Sequence, residues 1–296
     1  MGTTTALSAH PRFKKAVPYL LITPALVFVI GILAYSVLYG IGMSFFRIDL
    51  AIPGRPFIGL ENYRVVFSEE RFINSFRRSL VFVFFSVTLG LLLSFGFANA
   101  LYRVKKMSAG FRGFTLVPYL VSGIATAIMF RFLFSGTVGF INQMLMALGA
   151  ERILFLGNPN WALFVVIVAN TWFIVPFSTL VLLAGLQALD PDLFEVATVE
   201  GASKLTVLFR IIIPLIKPMI GISLVWMSFA SFNMFDVILP LTGGGPGRAT
   251  EVLAVYMYRI GFDFLRYSQG AVVMTVILVL NIAVSVFFLS VFRGED

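Results

Sequence analysis

The 296-residue chain contains no cysteine and one histidine, His10, and only 12% of its residues are charged. The first absence excludes disulfides, thiol nucleophiles and cysteine-ligated metals. The second leaves a Ser/His/Asp triad without an imidazole in the apolar body, since His10 lies in a short polar tail. The third excludes a water-soluble globule. Soluble domains carry about 25% charged residues, whereas here 59% of the residues are hydrophobic and 15% aromatic. None of the lysines, at positions 14, 15, 105, 106, 204 and 217, follows a glycine, so the chain carries no Gly-Lys-Ser/Thr phosphate loop. No hydrophilic stretch is long enough to bury a core of its own. What remains is a chain built for a bilayer.

The apolar residues form six blocks of the ~20 residues that cross a hydrocarbon core. The predicted spans cover about 17–45, 79–101, 114–134, 162–186, 219–241 and 271–292, one transmembrane domain over 17–292 between tails of residues 1–16 and 293–296. The predicted fold class is therefore an all-α membrane protein with six transmembrane helices. The first block resembles a signal peptide, but its length and the lack of a small-residue cleavage site predict an uncleaved span. Six spans put both termini on one side. Eleven Lys and Arg residues lie in the tails, the 103–112 turn and the 190–218 stretch, and ten in the three opposite loops, with Arg131 near the end of the third span. That balance does not choose a side, although the basic tail (Arg12, Lys14, Lys15) and the turn with Arg103, Lys105, Lys106 and Arg112 favour the cytoplasm. A net charge of +8 suits anionic lipid headgroups, and nothing beyond it points to nucleic acid.

Polar groups inside spans are costly, so they face a cavity or another helix. They are Tyr119, Ser122 and Thr126 in the third span, Asn170, Thr171, Trp172 and Ser178 in the fourth, and Ser223, Trp226, Ser228, Ser231, Asn233 and Asp236 in the fifth. Thr275 and Asn281 follow in the sixth. Aromatic rings with neutral amides and hydroxyls suit a sugar, whose hydroxyls need donors and acceptors and whose C–H face stacks on rings. Ser, Thr and Asn also hold helices together. The residues alone leave both readings open.

A long polar island between two apolar blocks runs from Asp190 to Pro218. Asp190 is suited to cap a helix that Pro191 begins and Asp192 favours by charge. Gly201 is suited to end that helix in the left-handed region, and residues 202–212 suit a second, more apolar helix. Physics alone allows an ordinary interfacial loop here as readily as a docking site.

The spacing Glu195-x-Ala197-x-x-x-Gly201, nine residues, Ile211-x-Ile213-Pro214 resembles the EAA loop of permease subunits of binding-protein-dependent ABC importers. It departs from that pattern at Val196 and Ile213. Phe57-Ile58-Gly59-Leu60-Glu61-Asn62-Tyr63, Phe111-Arg112 with Val117-Pro118-Tyr119, Asn170-Thr171-Trp172 and Leu241-Thr242-Gly243-Gly244-Gly245-Pro246 are similar to segments of the sugar branch of that family. The resemblance covers the chain from first span to last.

The resemblance implies a type I ABC importer permease in a bacterial or archaeal inner membrane, with both termini and the 190–214 coupling loop in the cytoplasm. Glu195, Ala197, Gly201 and Ala202 would then dock an ATP-hydrolysing subunit. The implied partners are a second homologous permease, two ATPase subunits that hold ATP and Mg, an external solute-binding protein facing the glycine-rich 243–247 loop, and membrane lipid. No cofactor is expected on this chain itself, and no enzymatic activity. The candidate solute contacts are Tyr119, Asn170, Trp172, Ser231 and Asn233. Of these, Tyr119, Asn170 and Ser231 fall where a sugar-branch permease for maltose has polar residues at its mid-membrane site, while Gly123 and Met234 replace side chains that could hydrogen-bond. A phosphorylated solute such as glycerol 3-phosphate would call for Lys or Arg at mid-depth. An ion-gradient carrier would call for embedded acids, and the spans offer only Asp236, off-centre.

Overall fold

The computed structural model describes residues 11–48, 54–104 and 108–293. His10, Asp49, Pro53, Lys105, Lys106 and residues 294–296 lie outside the described residues, and with them parts of the predicted tails, first loop and basic turn. In order, the helices are α1 (Pro11–Met43), α2 (Glu61–Ser68), α3 (Glu70–Arg103), α4 (Ser108–Thr115), α5 (Val117–Leu120), α6 (Gly123–Leu133), α7 (Phe140–Ala147) and α8 (Pro159–Gln187). There follow α9 (Asp192–Val199), α10 (Lys204–Val207), a π-helical turn Leu208–Ile212, α11 (Ile213–Leu215), α12 (Lys217–Phe232), α13 (Ile238–Thr242), α14 (Leu253–Tyr258), a second π-helical turn Arg259–Asp263, and α15 (Tyr267–Val291).

Four of the predicted spans are single helices long and apolar enough to cross a membrane: α1, α3, α8 and α15. The other two are broken. The third span is α4, α5 and α6 in succession, because Val121 and Ser122 are extended and Ser122 starts a new helix, its Oγ accepting the Ala125 N–H at 3.3 Å. The fifth is α12 followed by α13, interrupted between Phe232 and Ile238, and the α10–α11 stretch meets α12 at 71°. Pro214 and Pro218 flank that bend, where missing amides cannot continue a helix ladder.

α8 is the centre. Pro159 stands at its first turn, and Asn158 Oδ1 caps it by accepting from Asn160 and Trp161 N–H. Two thirds of its most apolar window is buried in the chain, against none of that of α1. α3 lies along α8 with a stripe of small residues, Ser79, Ser86, Gly90, Ser94 and Ala98, all buried. Small residues at this spacing let helix backbones approach closely where lipid supplies no hydrophobic drive between helices. A Cβ on Gly90 would sit 3.2 Å from Ile174 Cδ1, and Ser94 Oγ donates to the Val175 carbonyl at 3.1 Å. α12 and α15 complete the bundle.

The predicted loops hold more structure than their composition suggests. The 47–77 segment contains α2 and the first turns of α3, tied to the end of α1 by Asn62, whose Nδ2 donates to the Ser44 and Phe46 carbonyls at 2.8 and 2.9 Å. The 135–161 segment contains α7 and is gathered around buried Asn142, which donates to the Ser135 and Ile153 carbonyls and accepts from Ile153 N–H. The stretch after Leu241 corrects expectation most. Leu253, Ala254, Val255 and Tyr256 of α14 belong to the core, an apolar patch too short to read as a membrane element.

Candidate transport path and coupling loop

The 190–214 island folds as a helix, a tight turn and a second helical stretch. Asp190 Oδ1 accepts the Asp192 N–H at 3.0 Å, capping α9 as its residue type suggests. Gly201 takes φ +72° and ends it. Its N–H donates to the Thr198 carbonyl at 3.0 Å and the Ala202 N–H to the Ala197 carbonyl at 2.9 Å, the paired bonds of a Schellman motif. Ala197 and Ala202 are thus the two ends of one lock, and Gly201 is the residue that permits it. Ser203 then starts α10, its Oγ accepting from Thr206 N–H. Glu195 and Glu200 are exposed with no ion pair among the described residues, and Val196 and Val199 beside them are 57% and 89% exposed. Inside the chain, Phe194 holds α9 to α3 through the Tyr102 ring, 6.5 Å away.

The candidate solute residues separate into groups. Asn170 of α8 and Ser231 of α12 are fully buried and face one another, Asn170 Nδ2 donating to Ser231 Oγ at 2.8 Å, while Asn170 Oδ1 makes no hydrogen bond among the described residues. Tyr119 is partly exposed and stands among Phe173, Phe177 and Trp226, with ring centroids 6.1–6.2 Å apart; the Trp226 Nε1 is also without a hydrogen bond among the described residues. Trp172 turns to another side of α8, edge-on to Phe130 at 5.9 Å, and lines an apolar cleft with Leu93, Pro118 and Val175. Asn233 is exposed at the end of α12 and donates to the Phe229 carbonyl. Asn170 with Ser231, and Tyr119 with its aromatic neighbours, are therefore brought together, and Trp172 and Asn233 stand apart from them.

Nothing in the sequence announces how the polar segment after Leu241 is held. Arg71 pairs with Glu251 at 2.6 Å, and Glu251 is 1% exposed. Tyr256 OH donates to Glu69 at 2.7 Å, and burial followed by that hydrogen bond pushes the phenol well above its ordinary value. Ser79 Oγ accepts the Leu253 N–H at 2.7 Å, and Arg259 donates to the Gly243 carbonyl. The glycine-rich loop closes on itself through Thr250, which donates to the Gly245 carbonyl and bonds the Thr242 hydroxyl. Partners 174 to 187 residues apart in sequence leave no local signal.

Residues 79–292 match the family described as the binding-protein-dependent transport system inner membrane component. The chain belongs to that family. It is 34% identical over 291 residues to the trehalose/maltose transport system permease protein of Thermococcus litoralis, covering 97% of each chain. It is 31% identical to the sulfoquinovosyl glycerol transport system permease protein of Agrobacterium fabrum, covering 94% of this chain and 90% of that one. Among solved structures, a chain of a bacterial alginate ABC transporter, crystallised with its alginate-loaded periplasmic protein, superposes with a TM-score of 0.79 at 24% identity, covering 95% and 96% of the two chains. The fold is that of an ABC importer permease. A multi-pass inner-membrane permease subunit is a transport component and not an enzyme, and membership sets aside the ion-gradient carrier.

Proposed function

We propose that this permease forms half of the translocation pathway for a sugar or sugar-like polyol. A second homologous permease supplies the other half, two ATPase subunits carry ATP and Mg, and an external solute-binding protein delivers the solute. The termini and the 190–214 loop then face the cytoplasm. Glu195 meets a basic group of the ATPase, and the Schellman lock at Ala197, Gly201 and Ala202 makes α9 a rigid transmitter of ATPase closure, a domain-scale two-state change.

The observation that carries the sugar assignment is the Asn170–Ser231 pair. A buried carboxamide oxygen without a hydrogen bond is costly unless a donor reaches it in some state of the cycle, and a sugar hydroxyl is such a donor. Tyr119 and Trp226 offer ring faces for the sugar's C–H surface. Neither α8 from Pro159 to Gln187 nor the first part of the fifth span from Pro218 to Asn233 contains a charged residue, and the charge beyond it, Asp236, is acidic, which favours a neutral solute over a phosphorylated one. The names of the relatives for trehalose/maltose and sulfoquinovosyl glycerol support the same class.

The test is ATP-dependent uptake of labelled maltose, trehalose and glycerol 3-phosphate by the assembled complex, with Asn170→Ala and Tyr119→Ala beside wild type. The expected result is disaccharide uptake that falls by about tenfold or more in Asn170→Ala, the loss of one to three kcal/mol of polar recognition. Uptake of glycerol 3-phosphate alone, or variants with unchanged rate and preference, would refute the assignment.

A further inference from the structure

The two broken spans break at the same place. Span three opens at Val121–Ser122, where α6 begins, and span five opens between Phe232 and Ile238, where α13 begins. Asp236 bridges the two. A Cβ built on Gly123 would lie 1.8 Å from Asp236 Oδ2 and 2.5 Å from its Cγ, so the carboxylate rests directly on the backbone of the first residue of α6. Only glycine admits it. Asp236 is half-buried, makes no ion pair and accepts no hydrogen bond from another side chain among the described residues. The positive end of α6, eleven residues long, stands in for the missing cation. A second contact joins the same two helices at Arg131, which donates to the Pro240 carbonyl at 3.4 Å.

We infer that Asp236 is a positioning residue for transport. Seated on Gly123, it couples α6 to α13, so that the outer halves of spans three and five move as one body against α8 and α12 when the pathway changes its access. The breaks at Val121–Ser122 and Asn233–Val237 are the hinges of that body, a few residues at helix ends that absorb the change. Tyr119 and Ser231 lie on the inner side of the same breaks, next to the hinge and not on the moving body. The inference rests on the reading of the chain as an importer subunit, but not on which solute it carries.

The natural absence of cysteine makes the test direct. Arg131→Cys with Pro240→Cys places one thiol on each helix, and a short bismaleimide reports their proximity in the full complex. With Asp236 intact, cross-linking is expected to be equal in the nucleotide-free and vanadate-trapped states. Asp236→Asn, which keeps the shape and removes the charge, and Gly123→Ala, which keeps the charge and displaces it, are each expected to make cross-linking depend on state. Both are expected to lower maximal uptake by about tenfold, within the range of couplings between sites, with half-saturation by the loaded binding protein unchanged within about twofold. Wild-type cross-linking and uptake in either variant, or failure of both variants to assemble with the ATPase, would overturn the inference. A wild-type complex that carries no sugar at all would instead refute the solute assignment and leave the cross-linking result to stand on its own.

Discussion

The two polar interruptions beside the fifth span are built alike and finished differently. Each turns on left-handed glycine and passes through a π-helical turn before the next long helix: Gly201 with Leu208–Ile212 at one end, Gly243 and Gly244 with Arg259–Asp263 at the other. In the segment after Leu241 the polar groups close on one another. Glu251 meets Arg71, Tyr256 meets Glu69, and Arg259 meets the Gly243 carbonyl. In the 190–214 loop the acids Glu195 and Glu200 have no ion pair among the described residues, and the valines between them stand in the open. Among the described residues, one segment pairs its acids within the chain and the other does not. Similar local chemistry therefore serves two ends, and long-range partners decide which.

The comparison breaks hardest at Arg71. Arg71→Ala leaves the buried Glu251 carboxylate only the exposed Arg248, 3.9 Å away, and a loss of about 3–5 kcal/mol is expected. Thermal unfolding of the purified permease in detergent would read it as a clear drop in Tm, and Arg71→Met with Glu251→Leu should recover most of the loss. An unchanged Tm in the single variant would mean that the segment after Leu241 is not held by this pair. At the other extreme, Glu195→Gln removes one exposed, unpaired charge. Stability should move by less than about 0.5 kcal/mol, while binding of the isolated ATPase weakens and becomes less sensitive to salt. A fall in Tm with unchanged ATPase binding would reverse the assignment of roles.

How far the sequence could be read follows the same division. α9, its Asp190 cap and its Gly201 stop rest on bonds spanning a few residues, so residue types and spacing sufficed to anticipate them. The four continuous spans were legible from apolar length alone. The breaks were not, because Val121–Ser122 and Asn233–Val237 sit inside stretches apolar enough to pass for uninterrupted spans, and the contact of Gly123 with Asp236 beside them joins two segments distant in sequence. α14 was read as loop for a related cause. It is buried by α3 and α15, and nothing in Leu253–Tyr258 itself announces that. Trp172 and Asn170 are two residues apart and so point to different sides of α8, a consequence of helical period that their shared motif concealed.

In the proposed mechanism the 190–214 loop transmits ATPase motion to a sugar path through a rigid turn. Gly201→Val tests it most directly, because no neighbour lies within 4 Å of the added Cβ and the cost is confined to a backbone conformation that a β-branched residue adopts at about 1–3 kcal/mol. ATP hydrolysis and disaccharide uptake should be measured on the same proteoliposomes, with Gly201→Asn as the variant that tolerates the left-handed region. The account predicts that Gly201→Val assembles and hydrolyses ATP but loses uptake by about tenfold or more, and that Gly201→Asn keeps most of it. Wild-type uptake in Gly201→Val would contradict the account.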